Sequence, residues 1–233
     1  MFDFSTEKLA LLPLWFVAFL LALTCHEAAH AWVALRGGDR TAYLGGQVTL
    51  NPLPHIQREP FGTILVPFLT YLFAGWMMGW ASAPYDPDWE RRYPRRAALM
   101  SVAGPVANLI LAVLALLALR AGLSGGWWEL NREATSIAHL IAGVGEQGDM
   151  RLAGGRFLII SMVLNSALCI FNLIPFPPLD GYGVLQALVP SAREFYEKVG
   201  AGPGSMIGLL VAWMIFDRLF GFVLPLLLLG LTG

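Results

Sequence analysis

His26, Glu27 and His30 stand in the order His-Glu-x-x-His within "LALTCHEAAHAWVAL", residues 21–35. On an α-helix, positions i and i+4 share a face. Both imidazoles can then hold one divalent cation, and Glu27 can act as general base on a water beside it. That is the chemistry of zinc-dependent hydrolysis. Two core histidines bonded to neighbouring helices are the plainer reading. The setting weighs against it, because the stretch is otherwise apolar enough for a membrane interior. An unpaired ionisable group there is costly and marks function by default.

Catalytic zinc usually takes three protein ligands. His55, His139 and several acids are formal candidates for the third. Asp180, in "FNLIPFPPLDGYG", is the best placed, since it is the only acid between Asp149 and Glu194 and lies just past an apolar run. Pro175, Pro177 and Pro178 break the helix before it, and Gly181 frees the backbone beside it. Irregular backbone at membrane depth is tolerated where it lines a cavity or is buried in protein. An ordinary Asp-Gly turn at the membrane surface would read the same way.

These residues need helices to hold them. Of the 233 residues, 57% are hydrophobic and 13% charged, against about 25% charged in a soluble domain. Mean hydropathy is +0.62. The chain reads as an all-α integral membrane protein, one membrane-embedded domain over 1–233 with its core at about 9–200 and a C-terminal helix at about 206–229. A net charge of −1 suggests no nucleic-acid partner. Cys25 and Cys169 lie inside apolar runs, which argues against a disulfide framework. The start, "MFDFSTEKLALLPLWF", lacks the basic region and small-residue cleavage site of a secretory signal, so residue 1 is expected to be retained.

Five apolar runs approach the ~20 residues needed to cross the hydrocarbon core. They are Leu9–Leu35, Phe61–Trp80, Ala97–Leu119, Phe157–Ile174 and Met206–Leu229. The expected architecture is a polytopic helical bundle of about four to six transmembrane or re-entrant segments. Loose alternation with Gly punctuation predicts a short β-hairpin after the first helix, at Ala42–Leu50. Residues 121–154 read as a loop with a short amphipathic helix, and 181–205 as a short helix followed by a linker. Asp217 and Arg218 interrupt the last run. They pair with each other, pair with a neighbouring helix, or mark a surface position.

Arg91, Arg92, Arg95 and Arg96 form the densest basic cluster, which places their loop in the cytoplasm. One metal ion needs the two histidines and Asp180 at the same depth, so the first and fourth runs should point the same way. A full crossing by Phe61–Trp80 would reverse the fourth. That run is therefore expected to be re-entrant or to stop short, and Pro67 and "GWMMGW" permit the bend. A helix broken near Pro175 is the alternative that would rescue a full crossing. The site then faces the cytoplasmic side.

"HEAAH", "SVAGPVAN" at 101–108 and "NLIPFPPLDG" at 172–181 together resemble the signature set of the site-2 protease family of intramembrane zinc metalloproteases. The resemblance runs from about residue 9 to 200, and "GGQVTLNPLPHI" followed by "FGTILVP" is similar to the compact branch without a PDZ domain. It implies one catalytic Zn2+ held by His26, His30 and Asp180, with Glu27 activating water. It further implies that Asn108 and Asn172 are polar groups that orient substrate or polarise its carbonyl, and that the segment near Gly45–Leu50 is an edge onto which unwound substrate is laid. His55 is a weaker site-proximal candidate. Related compact members tend to carry an acid where Gln57 stands and a lysine where Ser82 stands, which affects substrate details rather than the zinc set. The implied substrates are transmembrane proteins or peptides within the lipid bilayer of a bacterial or archaeal cytoplasmic membrane. A regulatory membrane partner or a homo-oligomer is left open. A metal transporter using the same histidines would need no base at Glu27, and an inactive scaffold would not need the set intact.

Overall fold

The computed structural model describes residues 5–144, 149–189, 191–192, 194 and 203–231. Helix α1 (Thr6–Gly37) opens on Ser5, whose hydroxyl accepts from the Lys8 N–H. It closes on Gly38 at φ 101°, a left-handed conformation that glycine adopts without a Cβ penalty. Short helices α2 (Thr41–Leu44) and α3 (Pro52–Arg58) follow. A single π-helical turn, Phe61–Leu65, leads into α4 (Val66–Ala74). Then come α5 (Pro87–Arg92) and the long α6 (Pro94–Ser124). Strands β1 (Trp128–Leu130) and β2 (Ile141–Gly143) pair antiparallel, Glu129 opposite Ala142. Helices α7 (Asp149–Asn172), α8 (Asp180–Leu188) and α9 (Pro203–Leu229) complete the described chain.

Among the described residues four helices are long and apolar enough to cross a bilayer, within α1, α6, α7 and α9. The second apolar run does not join them. Its helix ends at Gly75, which sits at φ 71°, and the chain then runs back extended. The Trp80 N–H donates to the Gly62 carbonyl at 3.1 Å, so the two ends of the run are neighbours. The Thr70 hydroxyl accepts from the Met78 N–H at 3.0 Å and ties the limbs together further in. This is a re-entrant hairpin, as the depth argument requires.

The described residues contain one short β-hairpin, but it lies after α6. At 42–50 the chain forms α2 and a turn instead, with the Gln47 N–H on the Ala42 carbonyl at 2.9 Å. The alternation there has no second strand to pair with, and an isolated strand is not stable. In 121–154 the hairpin replaces the expected loop, and the Trp128 indole donates to the Arg151 carbonyl to dock it on α7. The linker expected after α8 falls, at 195–202, outside the described residues, as do residues 1–4 and 232–233.

Helix directions follow from paired residues. His26 meets Asn108 and His30 meets Met100, so α1 and α6 are antiparallel. Leu11 and Trp15 share a core cluster with Ile160 and Leu164. Deeper along both helices, Asn108 joins Ala22 to Asn165. Helices α1 and α7 therefore run the same way. At the end where α1 stops, Asp39 accepts from the Thr41 and Asp86 N–H groups at 2.8 Å each. The Trp89 indole donates to the Gly37 carbonyl at 3.0 Å. The loops on either side of the re-entrant hairpin are thus bound together on one face of the bundle.

Candidate metal centre

Three elements bring the ligand atoms together. Helix α1 stacks His26 over His30 one turn apart, with Nε2 atoms 2.9 Å from each other. After α7, the backbone turns through 173–179 and starts α8 at Asp180. Its Oδ2 lies 3.0 Å from His26 Nε2 and its Oδ1 3.3 Å from His30 Nε2. Two glycines permit the approach. A Cβ on Gly104 of α6 would collide with Nε2 of both histidines, and one on Gly181 would strike the Leu173 carbonyl. One turn further along α8, Gly183 rests on Ser101 of α6.

The other ring nitrogens decide what the site can bind. His30 Nδ1 is 2.7 Å from the Met100 carbonyl, which can only accept. That nitrogen carries the proton, and Nε2 of a neutral His30 carries a lone pair. His26 Nδ1 is 2.5 Å from Asn108 Oδ1. The Asn108 amide nitrogen donates to the Ala22 carbonyl at 3.1 Å and to Asn165 Oδ1 at 2.8 Å. Asn165 in turn donates to the Ser161 carbonyl at 2.8 Å. This relay across α1, α6 and α7 leaves Asn108 only its oxygen for His26, so Nε2 of His26 is also an acceptor.

Two nitrogen lone pairs and a carboxylate therefore converge with no donor among them. Asp180 Oδ2 is buried and receives no hydrogen bond. Such a convergence is unfavourable by itself and complementary to a cation. The ligand atoms lie within 4.8 Å of one another, and tetrahedral zinc with bonds of 2.0–2.1 Å separates its ligands by about 3.3 Å. The residues present fit zinc. They are also the one such group among the described residues.

The other candidates are placed as follows. Glu27 is 5% exposed, one residue round the helix from His26 and within electrostatic reach of His30. Asn108 lies directly behind His26. Asn172 turns back on its own helix and donates to the Leu168 carbonyl at 3.0 Å. His55 is buried on α3, where Nε2 donates to the Thr49 carbonyl at 3.1 Å and Nδ1 has no partner. It is not part of the metal group. His139, a formal candidate for the third ligand, sits away from the metal group, 2.8 Å from the Glu7 carboxylate. Ser82 donates to Glu59 and accepts from Arg58.

Asn165 and the Met100 carbonyl are the members of the site that sequence reasoning passes over. Asn165 left a trace as one of two amides, with Asn172, in the apolar run Phe157–Ile174. A backbone carbonyl leaves none.

The model of peptidase family M50 matches residues 14–215. The YwhC protein of Bacillus subtilis, named as a zinc metalloprotease, is 37% identical over 188 residues, which cover 80% of this chain and 74% of YwhC. Rip2 of Mycolicibacterium smegmatis, also named as a zinc metalloprotease, is 32% identical over 168 residues, 72% of this chain and 54% of Rip2. For Rip2 of Mycobacterium tuberculosis the figures are 31% over 198 residues, 85% of this chain and 64% of that protein. The chain thus spans less than two thirds of the Rip2 proteins it matches. No solved structure matches it.

Proposed function

The chain belongs to peptidase family M50, the site-2 protease family, and from that premise we propose that it is a zinc-dependent intramembrane endopeptidase. The observation that carries this reading is the convergence of three acceptor atoms, from the buried His26 and His30 and the half-buried Asp180, among helices apolar enough to span a membrane. One zinc ion there would supply Lewis acidity, lowering the pKa of water toward about 7 and polarising a scissile carbonyl. Glu27 takes the proton from the attacking water and delivers it to the leaving amine. Asn108, backed by Asn165, holds the His26 ring in the orientation that ligation needs.

A transmembrane helix shields its own carbonyls by hydrogen bonding, so a substrate segment must open locally before attack. A groove of about 500 Å³ lies between α1 and α6 and is lined by Cys25, Ala28, Trp32, Val48, Leu50 and Ile110. The backbone groups of Val48 and Leu50 have no hydrogen-bond partners among the described residues. His55 pins the segment between them through the Thr49 carbonyl. This segment is no strand in the free protein, but it offers an opened peptide an edge to pair with. The substrates are accordingly membrane proteins or peptides with a segment in the bilayer. The basic cluster at Arg91–Arg96 supports placing the metal end of the bundle on the cytoplasmic side of a cell membrane.

Glu27→Gln tests the mechanism. The variant should retain zinc and lose cleavage of transmembrane peptides, and equal cleavage by variant and wild type would sink the assignment. Asp180→Ala should lower zinc occupancy, and unchanged occupancy would remove Asp180 from the ligand set.

A further inference from the structure

Helix α9 has two faces of different character. One seals against the bundle. The ring of Phe216 stacks on Phe220 and meets Phe171 of α7 at 5.4 Å, and Phe220 meets Trp76 at 6.2 Å. Ala212 packs on Ile174 and Leu179. The opposite face carries Leu210, Met214, Asp217, Arg218, Gly221 and Phe222, all exposed. Almost none of this span is buried within the chain.

The charged pair sits at an expensive depth. Asp217 and Arg218 stand near the middle of Gly208–Leu229, about 15 Å from either end at 1.5 Å per residue. The neighbours of α9 agree. Ala212 lies level with the metal end of α7, and Leu231 packs on Ala115 and Leu119 near the far end of α6. Adjacent residues point about 100° apart on a helix and do not face each other, so the two cannot neutralise one another. Among the described residues neither makes an ion pair or a hydrogen bond. Charges at that depth persist where a protein partner covers them.

We infer that this face of α9 binds a second copy of the same chain, related by a two-fold axis along the membrane normal. The geometry is self-complementary. Two copies inserted the same way place their α9 helices in parallel, with residue 217 of each at nearly the depth of residue 218 of the other. The two-fold rotation brings Asp217 of one copy to the side occupied by Arg218 of the second copy, and the reverse. Two reciprocal ion pairs form from a single acid and a single base. A foreign helix would need its own acid and base at the same depth and in the same rotational order. Gly221, one turn on, lets the backbones approach closely, as small residues do between membrane helices.

The test uses differently tagged copies of the full chain in lipid bilayers, with association read by energy transfer across a range of protein-to-lipid ratios. Wild-type copies should associate. Asp217→Arg alone and Arg218→Asp alone should each weaken self-association about tenfold or more. Mixed together, these two variants should associate with each other, because the pairs are restored in the mixed dimer. Gly221→Leu provides a variant without charge. A Cβ there meets nothing within 4 Å in a single copy, so it should leave folding and bound zinc unchanged while weakening the dimer by a similar factor. A monomeric wild type at every ratio overturns the inference. So does self-association that none of the three substitutions weakens, or a mixed pair no tighter than either variant alone.

Discussion

At the scale of single residues, the site depends as much on which atoms are prevented from donating as on which can ligate. Asn165 never touches the metal group, yet its oxygen occupies the Asn108 amide nitrogen and thereby orients the Asn108 oxygen toward His26. Asn165→Leu keeps the approximate shape and removes that constraint. Zinc affinity in chelator competition should fall about 10–100-fold, with helix content unchanged. Undiminished affinity would make the asparagine a packing residue only. His26, Glu27 and His30 were legible in the sequence because a spacing of four fixes their common face without knowledge of the fold. Asp180 was legible because three prolines and a glycine single it out. Asn165 was not, since an amide in an apolar run has meaning only once its partners on two other helices are known.

At the scale of elements, the common depth required of His26, His30 and Asp180 predicted the re-entrant hairpin, and the backbone punctuation permitted it. Hydropathy treats Phe61–Trp80 as a span. Pro67, Gly75 and Gly79 mark it as something else, and the structure turns at Gly75 and packs Gly79 against the Gly62 carbonyl and Phe19. The short hairpin was misplaced for a related reason. Residues 42–50 alternate like a strand but have no partner, while 128–130 and 141–143 are each three residues long and pair across a ten-residue connection that holds neither Gly nor Pro. A hydrogen bond fastens the re-entrant hairpin to α1, where the Tyr71 hydroxyl donates to the Lys8 carbonyl at 2.8 Å. Tyr71→Phe should cost about 1 kcal/mol, read as a fall of about 2–4 °C in Tm. An unchanged Tm would mean that packing alone holds the hairpin.

For the molecule as a whole, four crossings rather than five set which loops share a side. Cysteine substitutions in a background without native thiols check the count. Asn51→Cys and Asp88→Cys, which flank the re-entrant hairpin, should react with an impermeant reagent from the same side of the membrane. Glu133→Cys, between β1 and β2, should react from the opposite side. Labelling of positions 51 and 88 from opposite sides would make Phe61–Trp80 a full crossing. The hairpin also bears on how the chain is assembled. Its tip rests on residues of the first helix, with Tyr71, Trp76 and Met77 packed around Leu11, Trp15 and Phe19. A nascent segment this apolar can leave the insertion machinery sideways into lipid, yet it must settle back toward the side from which it entered. Only an α1 already in place provides the surface that makes the return favourable. The order of synthesis, first helix before hairpin, is thus a requirement for the topology on which the metal centre depends.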